Sequence, residues 1–318
     1  SQTYTVTDLC KDQQGSRRIQ TFIASASEAE IEELFGTIAN DLYCLMVDLF
    51  GNYVVQKFLE FGNATVKQTI LDKVHGNVVS LSFQMYGCRV VQKAIEFGSQ
   101  ATRKLILDEV YPSINELMDD QNGNHVIQKL VECYPACVEP VLEQIEPNLV
   151  HFALHSYGCR VIQRIIEANN ADVNQFIVDK LCDHVNQLSV NQFGNYVVQH
   201  LLQYGTQETR ELIITSVIGN LCEYSVMKYS SNVMEKCVEF AGPLFKTIVK
   251  RVFAQTHEVV LRMMKDPFAN YVLQRLITLM DNDQRKKFFN VYVAKNVNSL
   301  RKNIYSKHLL STLESALA

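Results

Sequence analysis

Glycine and proline are sparse in this chain, at 13 and 6 of its 318 residues. So few turn-forming residues disfavour a turn-rich β architecture and favour long helices. No run of about 18 apolar residues is present, so the sequence predicts no membrane span. The first ten residues, SQTYTVTDLC, have no basic start, no apolar stretch and no initiator Met. We therefore expect no signal peptide, and a chain that is a piece of a longer one.

Motifs for catalysis and metal binding are also missing. The chain has no phosphate-binding glycine loop, no GxSxG and no paired-carboxylate signature, and His257 and Glu258 do not form an HExxH motif. Its nine cysteines show no paired spacing; the closest two, Cys133 and Cys137, have no second Cys or His pair at zinc-ligand distance. We expect a reduced, intracellular protein that is not an enzyme and holds no metal or cofactor. The net charge of −4, taken alone, argues against a nucleic-acid partner.

One short phrase recurs along the chain. FGNYVVQ stands at 50–56 and again at 193–199, and YGCRVVQ at 86–92 is matched by YGCRVIQ at 157–163. In each copy the residue that follows a small residue is taken as the anchor. The anchors are Ser16, Asn52, Cys88, Asn124, Cys159, Asn195, Ser231 and Asn270. They are separated by 36, 36, 36, 35, 36, 36 and 39 positions, and a degenerate ninth copy has Lys307 at its anchor. Such a period is typical of a repeat protein.

Each copy has the pattern of a buried helix. Apolar pairs follow the anchor by two and three and by six and seven residues, as in Val54/Val55 and Phe58/Leu59. This spacing makes one buried face of an α-helix. The rest of each period predicts one further amphipathic helix, and stacked copies predict an α-solenoid. The step of 39 predicts three additional residues in a loop between Ser231 and Asn270.

Three variable positions of each copy are predicted to face away from the core. The anchor and the residue four places later share a helix face, and the residue after the anchor flanks them. These triplets are Ser16-Arg17-Gln20, Asn52-Tyr53-Gln56, Cys88-Arg89-Gln92, Asn124-His125-Gln128, Cys159-Arg160-Gln163, Asn195-Tyr196-Gln199, Ser231-Asn232-Glu235 and Asn270-Tyr271-Gln274. The middle residue is planar in seven of the eight, which suits stacking on bases. The outer two residues suit base edges, since amides donate and accept. Glu235 only accepts, which suits the two adjacent donors of guanine.

A basic row accompanies the triplets. The residue after the third letter is Thr21, Lys57, Lys93, Lys129, Arg164, His200, Lys236 or Arg275. The six Lys and Arg residues of this row predict contacts with a nucleic-acid backbone, which outweighs the acidic net charge. Five of the basic residues have a Glu three places further on, and we expect these carboxylates to hold them in place. They are Glu60, Glu96, Glu132, Glu167 and Glu239.

On these residues the chain resembles the Pumilio homology domain of the PUF family, over essentially all 318 residues. The resemblance implies an all-α, right-handed solenoid of eight repeats of about 36 residues, shaped as a crescent, with a C-terminal capping pseudo-repeat. It implies one RNA-binding domain over residues 1–318 that reads one base per repeat. Arg18 departs from the pattern, because the other copies carry an apolar residue there.

The resemblance also implies a target. In the family, Asn with Gln reads uracil, Cys or Ser with Gln reads adenine, Ser with Glu reads guanine, and the C-terminal repeat meets the 5′ end of the RNA. From Asn270/Gln274 back to Ser16/Gln20 the implied site is 5′-UGUAUAUA-3′. The family implies a cytoplasmic monomer that binds mRNA 3′ untranslated regions and represses by recruiting deadenylase and translational co-repressors, with the loop between repeats 7 and 8 as a partner surface.

Two other readings stay open. A protein-binding solenoid of the armadillo type predicts an apolar or acidic-peptide groove without base-sized triplets. Nucleolar relatives within the PUF family bind RNA with little sequence preference and serve ribosome assembly, but their triplets are degenerate, whereas the eight triplets here are complete.

Overall fold

The computed structural model describes residues 3–168 and 170–318. Within these ranges the protein is 83% helical and has no strand. Contacts along the chain divide it into two compact units, residues 1–148 and 149–318, which hold repeats 1–4 and repeats 5–8. Across the described ranges, no helix is both long and apolar enough to cross a membrane.

Each repeat is built from three helices, named here the short, anchor and trailing helix. The short helices are Val6–Cys10, Leu42–Met46, Val78–Ser82, Ile114–Asp119, Leu149–Ala153, Val185–Val190, Leu221–Ser225, His257–Lys265 and Val297–Lys302. The anchor helices are Gln13–Ser25, Gly51–Phe61, Gly87–Phe97, Gly123–Cys133, Gly158–Glu167, Gly194–Tyr204, Ser230–Glu239, Ala269–Leu279 and Ser306–Leu317. The trailing helices are Glu28–Ile38, Ala64–Val74, Gln100–Val110, Val138–Ile145, Ala171–Leu181, Gln207–Val217, Phe245–Phe253 and Asn282–Phe288, the last of which continues in a π-helical turn.

Eight repeats and a ninth, terminal anchor helix confirm the predicted solenoid. The anchor helix bears its apolar pairs inward: Val54, Val55, Phe58 and Leu59 are at most 2% exposed. Consecutive anchor helices pack against each other within each unit. The terminal helix Ser306–Leu317 packs on that of repeat 8, as expected of a capping copy.

The prediction of one further helix per repeat was wrong, because each repeat has two. In repeat 2 the trailing helix ends at Val74 and the short helix of the next repeat begins at Val78. Gly76 turns the chain between them with a positive φ of 80°, a conformation that favours glycine. Several other repeats make this break with a 3₁₀ turn, as at Tyr111–Ser113. Both helices bury apolar residues on one side, so the apolar pattern alone did not reveal the break.

Small residues before the anchors let the short and anchor helices approach closely. A Cβ on Gly51 would lie 2.9 Å from Leu45 Cδ2 and 3.0 Å from the Leu45 carbonyl oxygen. Repeats 2–6 keep glycine at this position. In repeat 7 and in the terminal copy, Ser230 and Ser306 instead donate a hydrogen bond to the carbonyl of the residue six places earlier, at 2.9 and 2.8 Å. In these two copies the close contact between the short and anchor helices is therefore maintained with a serine hydrogen bond in place of a glycine.

The three additional residues between the anchors of repeats 7 and 8 lie in a helix, which corrects the predicted loop. The short helix that leads to Asn270 is His257–Lys265, nine residues long. Its counterparts that lead to Asn124 and Asn195, Ile114–Asp119 and Val185–Val190, have six residues. All three end five positions before their anchor. Roughly one helical turn has thus been added, which keeps the anchor in register because a turn takes about 3.6 residues.

A capping side chain four places before the anchor was missed at the sequence level. Asp48 Oδ2 accepts from the backbone N–H groups of Phe50 and Gly51 at 2.9 and 2.8 Å, and Asp120 does the same for Asn122 and Gly123. The recurrence of Asp, Asn or His at this offset was the available signal. It holds at Asp12, Asp48, Asp120, His155, Asn191, Asp266 and Asn303. Such caps satisfy the otherwise unpaired first donors of a helix.

Repeat 3 has Gln84 at this capping position, and its Oε1 is buried with no hydrogen-bond partner among the residues that the structure describes. We predict that Gln84→Asp stabilises the protein by about 0.5–2 kcal/mol, because a shorter carboxylate can cap the helix as Asp48 and Asp120 do. Chemical denaturation would measure the change. The matched control is Asp120→Ala, which should destabilise by a similar amount; equal midpoints for Gln84→Asp and the parent protein would contradict this account.

Candidate nucleic-acid interface

The middle residue of every triplet is exposed. These residues are Arg17, Tyr53, Arg89 and His125 in the first unit and Arg160, Tyr196, Asn232 and Tyr271 in the second. The three tyrosines are 38–55% exposed although large aromatic side chains are usually buried. In the first unit the guanidinium of Arg89 lies 5.7 Å from the Tyr53 ring centre, and Arg89 Nη1 donates to the Tyr53 hydroxyl at 2.5 Å. Planar groups of consecutive repeats are therefore within reach of one another.

The anchors are buried, which differs from the expectation that all three positions face away from the core. All eight are at most 5% exposed. Each of the four Asn anchors donates a side-chain N–H to a backbone carbonyl in the turn before its helix: Asn195 Nδ2, for example, donates to the Asn191 carbonyl at 2.8 Å. Ser16 instead donates to the Phe50 carbonyl of the next repeat at 2.9 Å. The anchor lies beside the tightly packed small residue, so packing leaves it little access to solvent.

The third residue is half-buried in every repeat, and in repeats 1–4, 6 and 8 it is hydrogen-bonded to its anchor. Gln56 Nε2 donates to Asn52 Oδ1 at 2.9 Å, and repeats 4, 6 and 8 repeat this bond at 2.8–2.9 Å. In repeat 1 the acceptor is the Ser16 hydroxyl, at 3.0 Å, and in repeat 3 it is the Cys88 sulfur, at 3.9 Å. This bond, called here the tether, fixes the direction of the Gln amide. Within the described residues, its side-chain carbonyl and second N–H make no other hydrogen bond in repeats 1–4 and 6, while in repeat 8 Gln274 Oε1 lies 3.5 Å from Thr312 Oγ1.

Two anchors are thiols. Burial raises the pKa of the Cys88 and Cys159 thiols, so both are neutral at physiological pH. A neutral thiol is a weak donor and a weak acceptor. In these repeats the Gln amide is therefore the strong hydrogen-bonding group, and the anchor presents a compact, soft surface.

The predicted Lys–Glu and Arg–Glu pairs are confirmed. Lys57, Lys93, Lys129, Arg164 and Lys236 each lie 2.7–3.6 Å from the Glu three places further on in the same helix. Repeat 6 has His200 in the basic row, and its Nε2 lies 2.8 Å from Glu167 of repeat 5. Burial acts to raise the pKa of Glu167, but hydrogen bonds from His200 and Arg164 outweigh it and lower that pKa. Local carboxylates thus compensate most of the row.

Repeat 7 is built differently. Ser231 donates to the Lys228 carbonyl at 3.2 Å, and the half-buried Glu235 cannot donate to it. Glu235 Oε1 instead accepts from Arg275 Nη2 of repeat 8 at 3.3 Å. Arg275, predicted as a backbone contact, therefore touches the position predicted to read a base.

Three-helix repeats with a buried polar anchor, a tethered amide and an exposed planar residue define a class of helical repeat protein with one small recognition unit per repeat. A family model described as a Pumilio-family RNA-binding repeat matches residues 6–39, 41–75, 77–111, 113–145, 148–182, 184–218, 228–250 and 260–291. The chain belongs to this family, the PUF proteins.

Curated relatives and solved structures agree with this assignment. Pumilio homolog 12 of Arabidopsis thaliana is 31% identical over 312 residues, which are 96% of this chain and 52% of the relative. The mRNA-binding protein puf3 of Schizosaccharomyces pombe is 52% identical over 63 residues, 20% of this chain and 9% of the relative. The chain thus spans about half, or less, of the length of these relatives.

Two of the solved structures that are similar to this chain are complexes with RNA. The Puf3 RNA-binding domain bound to a Cox17 RNA 3′ UTR recognition sequence is 35% identical with a TM-score of 0.88, and the match covers 97% of this chain and 94% of that one. PUF-8 in complex with PBE-RNA is 35% identical with a TM-score of 0.89, over 98% and 93% of the two chains.

Two adjacent residues test the burial pattern. Asn195→Ala should lower the free energy of unfolding by about 1–3 kcal/mol, because it removes a buried hydrogen-bonding group and leaves Gln199 without its acceptor. Tyr196→Ala should stay within about 0.5 kcal/mol of the parent, because the ring is exposed. Thermal or urea unfolding measures both; a larger loss for Tyr196→Ala than for Asn195→Ala would show that the two residues exchange roles.

Proposed function

We propose that the protein binds single-stranded RNA with one base per repeat and recognises 5′-UGUAUAUA-3′ elements. The observation that carries this proposal is the recurring unit of exposed planar residue, tethered amide and buried anchor. An exposed planar side chain gives a base a stacking surface worth about 1–3 kcal/mol. The tethered amide then meets the edge of the stacked base with one acceptor and one donor.

The Gln amide alone does not distinguish uracil from adenine. Uracil offers N3–H with a carbonyl oxygen beside it, and adenine offers N1 with an amino group beside it, so an amide can pair with either edge. Discrimination in these repeats therefore falls to the anchor, which is Asn for the proposed uracils and Cys or Ser for the proposed adenines. Because uracil and adenine differ in size and meet the same amide, the anchors beside them must differ in size and polarity.

The basic row supports contact with a nucleic-acid backbone. Its members carry positive charge beside every base-reading position except those of Thr21 and His200. Their carboxylate partners keep the side chains extended over the neighbouring rings: Lys57 and Lys93 lie 5.5 and 5.2 Å from the ring centres of Phe61 and Phe97. The pairs limit non-specific attraction, so the proposal favours sequence reading over general RNA binding.

In the cell we propose a cytoplasmic, monomeric repressor that acts on mRNA 3′ untranslated regions through deadenylase and translational co-repressors. The relatives support the RNA class: one is described as an mRNA-binding protein, and the Puf3 domain was solved with a 3′ UTR recognition sequence. The longer helix His257–Lys265 before repeat 8 replaces the predicted loop as the place where this repeat differs from the others, and it is our candidate partner surface.

Fluorescence anisotropy with labelled oligonucleotides tests the RNA proposal. UGUAUAUA should bind more tightly than a scrambled sequence by at least tenfold, since each wrong base costs about 1–3 kcal/mol. Tyr196→Ala should lose about 1–3 kcal/mol of this affinity by losing one stack. Equal binding of both oligonucleotides would favour the nucleolar, non-specific reading, and no RNA binding would favour a protein-binding solenoid.

The chain supplies its own control for base identity, because Ser16/Gln20 and Ser231/Glu235 share an anchor and differ in the third letter. Glu235→Gln should reverse the preference from UGUAUAUA to UAUAUAUA. Adenine N1 would face a carboxylate in the parent but an amide N–H in the variant, and a wrong base costs about 1–3 kcal/mol. A competition assay would show the crossover; equal weakening for both RNAs would mean that Glu235 does not read the base.

A further inference from the structure

Among the six Lys and Arg residues of the basic row, all of them described by the structure, Arg275 alone is not paired with a Glu of its own helix. Lys57, Lys93, Lys129, Arg164 and Lys236 each have that Glu three places on, and the pairs form. Arg275 has Thr278 there, whose hydroxyl is bonded to the Gln274 carbonyl at 2.8 Å. The guanidinium of Arg275 is therefore left to reach repeat 7, where it meets Glu235 at 3.3 Å.

Glu235 is also an exception among the third letters. In six repeats a Gln amide donates to the anchor and is thereby held in direction. A carboxylate cannot donate, and the Ser231 hydroxyl is turned to the Lys228 carbonyl. Within the described residues, the one hydrogen bond of the Glu235 carboxylate comes from Arg275. In those six repeats the third residue is held by the anchor of its own repeat. In repeat 7 it is held instead by Arg275 of the next repeat.

The position of Arg275 in its repeat brings it to this place. It stands five residues after the anchor Asn270, and in the terminal copy the residue five places after Lys307 is Thr312. Thr312 Oγ1 lies 3.5 Å from Oε1 of Gln274, the third letter of the repeat before it. In these two pairs the residue at this position reaches the third residue of the preceding repeat, whereas His200 and Lys236 reach the residue four places further on, Glu167 and Gln203.

We propose that Arg275 is a specificity-determining residue for the base that Glu235 meets, acting by positioning the carboxylate. This inference rests on the proposed reading of guanine by Ser231 and Glu235. A carboxylate has about four acceptor sites, so Glu235 can keep its bond to Arg275 while it accepts from guanine N1–H and N2–H. Arg275 also supplies positive charge where a carboxylate would otherwise face the phosphates of the RNA.

The ion pair is open to solvent, which makes it suitable for mutation. The side chains of Arg275 and Glu235 are 41% and 32% exposed, and exposed pairs contribute little to folding. Substituting Arg275 should therefore leave the melting temperature nearly unchanged. Any effect on RNA binding can then be assigned to the surface and not to unfolding.

The test compares UGUAUAUA with UAUAUAUA for the parent protein and five variants. Arg275→Thr introduces the residue that the terminal copy has at this position, and we expect it to lower the preference for guanine about tenfold, by weakening UGUAUAUA alone. Arg275→Lys should restore part of the preference. Lys236→Thr removes a positive charge at the corresponding position of repeat 7, where it contacts Glu239 and Gln203, and should weaken both RNAs by one factor. In the Glu235→Gln background, Arg275→Thr should leave the ratio of the two affinities unchanged.

The outcomes separate the two claims. A parent protein that binds neither RNA, or binds both equally, would overturn the proposed reading of guanine and the inference with it. A parent that prefers UGUAUAUA while Arg275→Thr keeps the same ratio would overturn the inference alone. Equal weakening of both RNAs by Arg275→Thr, as expected for Lys236→Thr, would assign Arg275 to the RNA backbone and would also overturn it.

Discussion

The hydrogen bond between the third residue of a repeat and its buried anchor is the interaction on which the surface of this protein depends. A Gln amide on an exposed helix face would normally sample several rotamers. Here Gln56 is fixed by Asn52, which is itself fixed by the Asp48 carbonyl. The orientation of the surface amide is thus set by the backbone of the turn that leads into the helix, and a base edge would meet a group that is already ordered.

This order depends in turn on the packing beneath it. The anchor is buried because the residue before it is small enough for the short helix to lie against the anchor helix, as at Gly51 and Leu45. The cap from Asp48 then fixes the first turn, where the anchor begins. The same helix contacts that build the solenoid therefore also fix the anchor and the third residue, which explains why the triplets recur in register with the apolar pairs.

The sequence was sufficient for features that repeat in register and insufficient for those set by three-dimensional packing. The period, the anchor helices, the exposure of Tyr196 and the partner of Lys57 follow from helical spacing alone. The burial of Asn195 could not be predicted, because a polar residue on a helix flank is usually exposed. The additional turn in His257–Lys265 was predicted as a loop, because solenoids usually accept insertions in loops. The Asp48 cap was visible as a recurring letter, but its role required the backbone.

Charges on this surface are paired locally, mostly within single helices, and the net charge of the chain does not describe them. The chain carries 30 basic and 34 acidic residues, and five members of the basic row lie against a Glu of the same helix. Arg275 departs from this arrangement and pairs instead with Glu235, the acidic third residue of repeat 7. A carboxylate that accepts hydrogen bonds from a base is repelled by the RNA phosphates unless a cation lies beside it. On the proposal for Arg275, guanine is read by residues of two repeats, Glu235 of repeat 7 and Arg275 of repeat 8. A Glu introduced alone at the third position of another repeat would supply the acceptor without the neighbouring cation. In repeat 7 the residue that corresponds to Arg275 is Lys236, whose ammonium contacts Glu239 of its own helix and Gln203 of repeat 6. On this proposal a carboxylate placed at position 199 would lack the contact that Arg275 gives Glu235, so the neighbouring repeat, as much as the triplet, decides whether a carboxylate can be used there.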